Sequence, residues 1–469
     1  MYGMDVALVI AYEFVKIVAM LHVLMDNRQP AKTMAWMLVI YFVPVVGLIF
    51  YFFFGQNTRR ERLMSERSLN QLTKRAMLEF VEQRDLQVAD EHRPTVDLFV
   101  NQGFCLPFKD NNVEIFTHGR TFFADLLRAL GAATQSIHLD FYIFEDDALG
   151  NLVADVLIDK ARQGVEVRLI YDDVGCWNVR RGFFERMRQE GIEACPFMPV
   201  RFRSFTSKVN YRNHRKIIVI DGVIGYIGGI NVALRYANAG WRDTMVRIEG
   251  GGVYGLQRAF LVDWYFVDRT LISNRKYYPS LKGYCVNDCV AQVVTSTPVT
   301  PSPEIMQGLL GVIMRARRYI YIQTPYFIPN ETILVALKTA VLAGVDVRIM
   351  VPKRCDSRFV QWAGQSYLAD IAAAGVKVLC YAEGFLHSKL WVVDDTLSSC
   401  GSTNVDFRSF ENNFEANVFF YDQDLAMRFK SVFETDEQRC VPYDVAKEKR
   451  RKFGIRLWES LMRLLSPLF

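Results

Sequence analysis

Apolar residues near the start of the chain form two runs. Residues 34–54 are uncharged and number about twenty, which is enough for a helix that crosses a bilayer. Residues 6–25 contain Glu13, Lys16 and His22, and charges in lipid cost free energy unless they pair, as Glu13 and Lys16 could on one helical face. We expect 34–54 to span the membrane, and 6–25 to span it or to be re-entrant or interfacial.

Beyond the N-terminal runs, short apolar stretches alternate with helical patterns. The runs 217–220 and 390–393 are nearly continuous and rich in β-branched residues, which is typical of strands covered on both faces. Asp221-Gly222 signals a hairpin turn that returns the chain antiparallel through residues 223–227. Strands that alternate with helices predict an α/β fold with a mixed sheet flanked by helices.

Most of the chain is a tandem duplication. The stretch 137–142 recurs at 320–326, and 164–169 recurs at 344–349. Corresponding landmarks lie about 175 to 185 residues apart, which indicates a duplicated domain rather than a short-repeat solenoid. The predicted parts are a membrane anchor at 1–57 with helices at about 6–25 and 34–54, a helical connector at 58–105, similar lobes at 106–290 and 291–445, and an amphipathic helix at 446–469.

The C-terminal segment combines basic and apolar residues. Five Lys and Arg residues between 447 and 452 precede Leu and Trp at helical spacing. Such a helix either packs on the core or lies on an anionic lipid surface, and the basic flank with Trp and Leu favours the lipid surface.

Charge and cysteine content narrow the class of protein. The 469 residues carry a net charge of +5, a mild excess that fits an anionic membrane better than a nucleic-acid groove. The nine Cys contain no Cys-x-x-Cys pair, so we expect reduced thiols, with no metal and no cofactor. More Lys and Arg follow residue 54 than lie between the two apolar runs, which predicts a cytoplasmic catalytic part.

Two short stretches repeat one set of reactive residues. Each has a His, a Lys two residues later, an Asp five after that, a Gly seven further on and an Asn three beyond it. They comprise His214, Lys216, Asp221, Gly228 and Asn231, and then His387, Lys389, Asp394, Gly401 and Asn404. Residues two apart on a strand share a face, so His and Lys point the same way. Two imidazoles, two ammonium groups and two amides form a site suited to phosphate chemistry.

This duplicated pattern resembles the phospholipase D superfamily, whose members carry two His-x-Lys-(x)4-Asp-(x)6-Gly-(Gly/Ser)-x-Asn motifs and form one active site between two lobes. Within it, the chain resembles the bacterial cardiolipin synthases along its whole length. The resemblance implies that His214 is the nucleophile and forms a phosphatidyl-histidine. It implies that His387 is first the acid that protonates departing glycerol and then the base.

The resemblance also implies roles for the remaining site residues. The phosphoryl oxygens would be held by Lys216, Lys389, Asn231 and Asn404, and the pocket would include Gly229, Ser402 and the headgroup residue Arg212. Family members keep an acidic residue about eleven positions past each motif Asn, and Asp243 and Glu415 fall at twelve and eleven. Asp243 is one residue out of register. Asp221 and Asp394 are grouped with the catalytic residues as motif members, although their place at strand ends favours a structural part in fixing the turn.

The implied reaction joins two phosphatidylglycerol molecules into cardiolipin and glycerol. The implied location is the inner cell membrane, as a multi-pass protein that contacts anionic lipid and binds no nucleic acid. One alternative is a hydrolase of phospholipid or nucleic acid, because the motifs do not separate an alcohol acceptor from water. Another is a membrane scaffold with a dead site, against which two intact motifs argue.

Overall fold

The computed structural model describes residues 2–25, 30–51, 55, 86–200, 211–281, 287–300, 302–444, 453–464 and 466. The chain forms two compact units. One comprises Met1–Arg62, Val200–Tyr211 and Val299–Pro301, and the other comprises Leu63–Pro199, Arg212–Pro298 and Ser302–Phe469. The predicted connector is described only from residue 86 onwards, and the part of it before that residue lies outside the described ranges.

The N-terminal helices differ from the predicted pair. They are α1 (Tyr2–Met25), α2 (Pro30–Phe42) and α3 (Pro44–Phe50). Lys16 donates to Glu13 over 2.8 Å, as predicted. The prediction of one continuous helix at 34–54 was wrong, because the helix is interrupted at Val43. This residue adopts φ −131° and ψ 65°, since proline disfavours helical geometry in the residue before it. Among the described residues, no helix is both long enough and apolar enough to cross a bilayer, so the predicted transmembrane helices are not supported.

The second unit alternates strands and helices. Its strands are β1 (Pro107–Phe108), β2 (Asn111–Phe116), β3 (Ser136–Phe141), β4 (Glu166–Asp172), β5 (Glu193–Phe197), β6 (Arg212–Asn213), β7 (Lys216–Ile220), β8 (Ile224–Gly228), β9 (Trp241–Arg242), β10 (Met245–Gly250), β11 (Val290–Ser296), β12 (Tyr319–Gln323), β13 (Phe327–Ile328), β14 (Asp346–Pro352), β15 (Lys377–Tyr381), β16 (Phe385–Leu386), β17 (Leu390–Val393), β18 (Leu397–Gly401), β19 (Val405–Asp406), β20 (Asn413–Tyr421) and β21 (Cys440–Pro442). Its helices are α4 (Arg93–Gly103), α5 (Gly119–Ala132), α6 (Ala148–Arg162), α7 (Arg181–Gln189), α8 (Leu234–Ala237), α9 (Gly252–Asp268), α10 (Glu304–Arg315), α11 (Glu331–Leu342), α12 (Arg358–Ala373), α13 (Phe407–Glu411), α14 (Gln423–Glu437) and α15 (Phe453–Leu464).

The two lobes have the same strand order. The first sheet runs β2-β10-β8-β7-β3-β4-β5, and the second runs β11-β20-β18-β17-β12-β14-β15 with β1 and β21 at its edges. In each sheet the three strands at the end of this order are parallel, whereas the hairpin that carries the motif is antiparallel. The predicted α/β fold with two similar lobes of mixed sheet and helices is therefore confirmed.

The motif strand β7 shows why its apolar run is continuous. Ile218 and Ile220 enter the core between the first sheet and its helices. Ile217 and Val219 enter another core, which holds residues of both sheets, including Leu390 and Val392 of β17. Alternate residues of a strand face opposite sides, so β7 supplies two cores at once. The shared core fixes the two sheets against each other.

The predicted hairpin is present. Strand β8 returns antiparallel to β7 with Ile217 opposite Ile227. Asp221 and Gly222 both adopt positive φ, 53° and 68°, in the three-residue loop between the paired residues Ile220 and Ile224. A Cβ on Gly222 would also meet the Tyr277 carbonyl oxygen at 2.6 Å, so both space and backbone favour glycine there.

Candidate active site

Two short strands cross between the lobes and build the site. Strand β6, just before His214, pairs in parallel with the start of β20 in the second lobe. Strand β16, just before His387, pairs in the same way with β9 of the first lobe. The His214 amide donates to the Phe414 carbonyl over 2.9 Å, and the His387 amide donates to the Arg242 carbonyl over 2.7 Å. Each motif histidine therefore lies beside the acidic residue of the other lobe.

The first histidine is held by Glu415. His214 Nδ1 lies 3.0 Å from Glu415 Oε1 and 3.2 Å from Oε2. Glu415 is fully buried, and it accepts from the Ser402 hydroxyl and from Asn413 Nδ2 over 3.1 Å. A carboxylate at Nδ1 fixes the ring tautomer and leaves the Nε2 lone pair available to the reacting group.

The second histidine is held by Asp243. His387 Nδ1 lies 2.6 Å from Asp243 Oδ2, and the Thr244 amide donates to the other carboxylate oxygen over 2.8 Å. Although Asp243 is one residue out of register, its carboxylate still reaches His387, because the extra residue lies in the turn at 238–240 before β9. The walls of this half are aromatic. The Trp241 ring centroid lies 5.3 Å from that of His387, and the Tyr236 centroid lies 6.1 Å from it.

Burial sets the protonation of both histidines. It lowers the pKa of His214 to about 4, with Glu415 opposing the shift and Lys216 adding to it. Burial and then Lys389 lower the pKa of His387 to about 4, against the effect of Asp243. Both imidazoles are therefore neutral near pH 7, as a nucleophile must be. A bound phosphodiester carries negative charge and raises the pKa of a neighbouring imidazole, which suits the acid role.

The two lysines are buried beside their histidines. Lys216 and Lys389 each donate to the backbone oxygen of the motif histidine two residues earlier. Lys389 Nζ also lies 3.0 Å from His387 Nε2. Burial lowers the pKa of Lys216 to about 7 and that of Lys389 to about 8. A phosphate anion nearby would favour the charged ammonium forms.

One cavity of about 510 Å³ joins the two halves. His214 and His387 both line it, together with the predicted residues Asn231, Asn404 and Arg212. Asn231 Nδ2 donates to the Tyr236 hydroxyl over 2.7 Å, and its Oδ1 accepts from the Ile143 amide over 3.0 Å. The volume is within the range of small-molecule sites, so the cavity has room for compact polar groups and not for long alkyl chains.

Gly229 and Ser402 act through the two carboxylates. A Cβ on Gly229 would lie 2.1 Å from Asp243 Oδ1, so the absence of a side chain makes room for that carboxylate. Ser402 is fully buried and donates its hydroxyl hydrogen bond to Glu415. Both residues position the acids that hold the histidines.

The structure does not bring Asp221 and Asp394 to the site, so their grouping with the catalytic residues was wrong. They lie at the ends of β7 and β17 that point away from the histidines. Asp221 accepts from the backbone amides of residues 134–136 over 2.8 to 2.9 Å. Asp394 does the same for residues 317–319 over 2.7 to 2.8 Å. Each carboxylate ties the hairpin turn to the start of a neighbouring strand, the structural part that strand-end placement favours.

Sequence reasoning missed several residues of the site. Asn413 and Trp241 lie two positions before each acid and line the cavity, as do Tyr326 and Arg408. The Tyr142 ring, directly after β3, lies 5.2 Å from the His214 ring. The only available signal was position relative to the acids, and it becomes informative once the crossing of β6 and β16 between the lobes is known.

Comparison with known proteins identifies the family. The model of the cardiolipin synthase, phospholipase D-like domain matches residues 126–264 and 309–437, and the phospholipase D-nuclease N-terminal model matches 14–56. A cardiolipin synthase of Oceanobacillus iheyensis is 37% identical over 95% of both chains. The major cardiolipin synthase of Bacillus subtilis is 37% identical over 96% of both. The chain belongs to the cardiolipin synthase family. It is an enzyme of the phospholipase D superfamily.

Solved structures agree with the fold. The crystal structure of phosphatidylserine synthase from Haemophilus influenzae superposes with a TM-score of 0.63 over 81% of this chain and all of that one. The sequences are only 13% identical, so this likeness concerns the fold alone.

Proposed function

We propose that the enzyme condenses two phosphatidylglycerol molecules into cardiolipin and glycerol through a phosphatidyl group carried on His214. One observation carries the proposal. Two neutral histidines from different lobes line one cavity, and each is held at Nδ1 by a buried carboxylate of the other lobe. Such a pair supplies a nucleophile and a separate acid and base for two successive transfers.

In the first transfer, His214 Nε2 attacks the phosphorus of the donor lipid. A phosphorus–nitrogen bond forms as the bond from phosphorus to the glycerol headgroup oxygen breaks. His387, protonated while the phosphodiester is bound, gives its proton to that oxygen, and glycerol leaves. Lys216 and Lys389 stabilise the charge on the phosphoryl oxygens, which burial makes stronger than in water.

In the second transfer, a glycerol hydroxyl of another phosphatidylglycerol enters beside His387. The neutral imidazole takes the hydroxyl proton, the oxygen attacks the phosphorus, and the bond to His214 breaks. His214 returns to its neutral form and His387 is protonated again for the next donor. The aromatic walls at Trp241 and Tyr236 would make this half of the site less polar, which would favour an alcohol over water as the acceptor.

The proposed location is the inner cell membrane, with the second unit in the cytoplasm. The N-terminal helices expose apolar side chains, among them Ile10, Phe14 and Leu21, each more than half exposed. The basic residues that follow them favour the cytoplasmic side. Protease added to inside-out membrane vesicles should degrade the second unit, and protease added to right-side-out vesicles should not. The reverse pattern would contradict this orientation.

The proposed reaction is tested with purified enzyme in phosphatidylglycerol vesicles. Cardiolipin and glycerol in equal amounts are expected. Phosphatidic acid as the main product would instead indicate a hydrolase, and no product would indicate that the site is inactive on this lipid.

A further inference from the structure

The C-terminal helix α15 packs on the second lobe with one side only. Met462 is buried in the core of that lobe. Arg463 lies 4.2 Å from the Tyr367 ring centroid and 3.5 Å from the Asp370 carboxylate. The Trp458 ring lies 5.9 Å from that of Trp362. All three partners belong to α12, so α15 is held firmly against that helix.

The opposite side of α15 carries an apolar stripe. Its members are spaced by three or four residues and therefore share one helical face. The stripe consists of Phe453, Leu457, Leu461 and Leu464, which are 79%, 50%, 43% and 75% exposed. A contiguous apolar patch on the solvent-exposed surface of a protein normally marks a contact with another protein or with a membrane.

The helix under α15 also forms the rim of the catalytic cavity. Ser357 and Val360 at the start of α12 line the cavity that holds both histidines. Phe359 is 54% exposed at this rim, and its ring lies 5.8 Å from Trp362. A row of aromatic rings, Phe359, Trp362 and Trp458, therefore connects the cavity rim with α15.

We propose that the α15 stripe and Phe359 dock on an anionic lipid surface and so hold the cavity rim where substrate lipids enter. This rests on the proposed function, in which both substrates are lipids whose acyl chains stay outside the cavity. Charge favours this occupant. Arg456 is exposed on α15, and the sequence just before the helix has Lys447, Lys449, Arg450, Arg451 and Lys452, whose placement lies outside the described residues. Basic residues beside apolar ones are typical of helices that lie on anionic membranes.

The test compares two substrates for the full chain. Dihexanoyl-phosphatidylglycerol dispersed below its micelle concentration reaches the cavity from water, whereas long-chain phosphatidylglycerol must leave a bilayer. Leu457→Glu combined with Leu461→Glu should lower cardiolipin formation in vesicles about tenfold and leave the rate on the short-chain lipid nearly unchanged. Leu342→Glu is the control, because Leu342 is 82% exposed at the end of α11 farthest from the cavity-lining Ile328. It should change neither rate.

A second readout follows Trp458 directly. In proteoliposomes, bromine-substituted lipids should quench the fluorescence of the native enzyme more than that of Trp458→Phe. Equal vesicle rates in the native enzyme and the double variant, or equal quenching, would overturn the proposal. Equal loss on both substrates would assign the helix a structural role only, and a changed oligomeric state would assign the stripe to a second copy. If the native enzyme makes no cardiolipin from either substrate, the proposed function fails instead.

Discussion

In both halves of the site a buried carboxylate holds the motif histidine, but the carboxylate and the side chains around it differ between the halves. In the His214 half, the long side chain of Glu415 reaches the imidazole and is held by Ser402 and Asn413. In the His387 half, the shorter Asp243 is held by a backbone amide, and the rings of Trp241 and Tyr236 lie beside the imidazole. Duplication preserved the pairing of histidine with carboxylate, whereas the side chains that hold each carboxylate diverged.

Equivalent positions show how each half adapted to its acid. Ser402 of the second motif corresponds to Gly229 of the first. The serine hydroxyl fits beside Glu415. A Cβ on residue 229, in contrast, would lie only 2.1 Å from Asp243 Oδ1, which is too close for any side chain there. Likewise, Asn413 corresponds to Trp241. The side chain at the Gly229 and Ser402 position thus matches the length of the acid, and the two motifs cannot be exchanged freely.

The largest expected effect is the loss of either histidine. His214→Ala and His387→Ala should each lower cardiolipin formation by roughly 1,000-fold or more, since one loses the nucleophile and the other the acid and base. Turnover in phosphatidylglycerol vesicles measures this, with unchanged thermal unfolding as the control. If either variant kept a tenth of the native turnover, the histidine that it lacks would not be the nucleophile or the acid and base.

Loss of the carboxylates should come next. Glu415→Gln and Asp243→Asn keep the shape but cannot stabilise an imidazolium, so kcat should fall roughly 100- to 10,000-fold. The two variants should fall by similar factors if the halves are equivalent in this respect. A fall in only one of them would show that only one histidine needs to be charged during turnover.

Exchange of the equivalent Ser and Gly breaks the symmetry. Gly229→Ser forces the Asp243 carboxylate away from His387, so kcat should approach that of Asp243→Asn. Ser402→Gly removes one hydrogen bond to a charged group, worth about 2 kcal/mol, and should lower kcat roughly 30-fold. The decisive comparison is the ratio of the two kcat values. Equal losses would contradict the account of acid length and local space.

The hairpins could be predicted from sequence because they are local. The Asp-Gly turn and the apolar runs of β7 and β17 fix a strand, a turn and a return within a few residues. The pairing of His214 with Glu415 could not be predicted in this way, because it depends on the contact between β6 and the other lobe. Nothing near His214 in the sequence encodes that contact. The interruption before Pro44 does not show in the apolar pattern, because it arises from the restriction that proline places on the backbone of Val43.

The smallest expected effect concerns pH. Because burial lowers the pKa of Lys216 to about 7 and that of Lys389 to about 8, the free enzyme loses positive charge as pH rises through this range. We expect kcat/KM to fall above about pH 7, and Lys216→Arg to move that fall to higher pH, since arginine stays charged. Lys389→Arg is the matched control, and in this variant kcat/KM should still begin to fall near pH 7, where Lys216 loses its proton. A flat profile up to pH 9 would contradict these assignments.

The central claim is that two similar histidines have unequal roles, and the covalent intermediate tests it most directly. A synthetic phosphatidyl donor with an acidic leaving group needs no protonation, so His387→Ala should form the phosphatidyl adduct on His214. The adduct should also persist, because the base that activates the next hydroxyl is gone. Intact-protein mass spectrometry after an acid-free quench should detect it in His387→Ala and not in His214→Ala. An adduct in His214→Ala alone would exchange the two roles, and none in either variant would contradict a covalent mechanism.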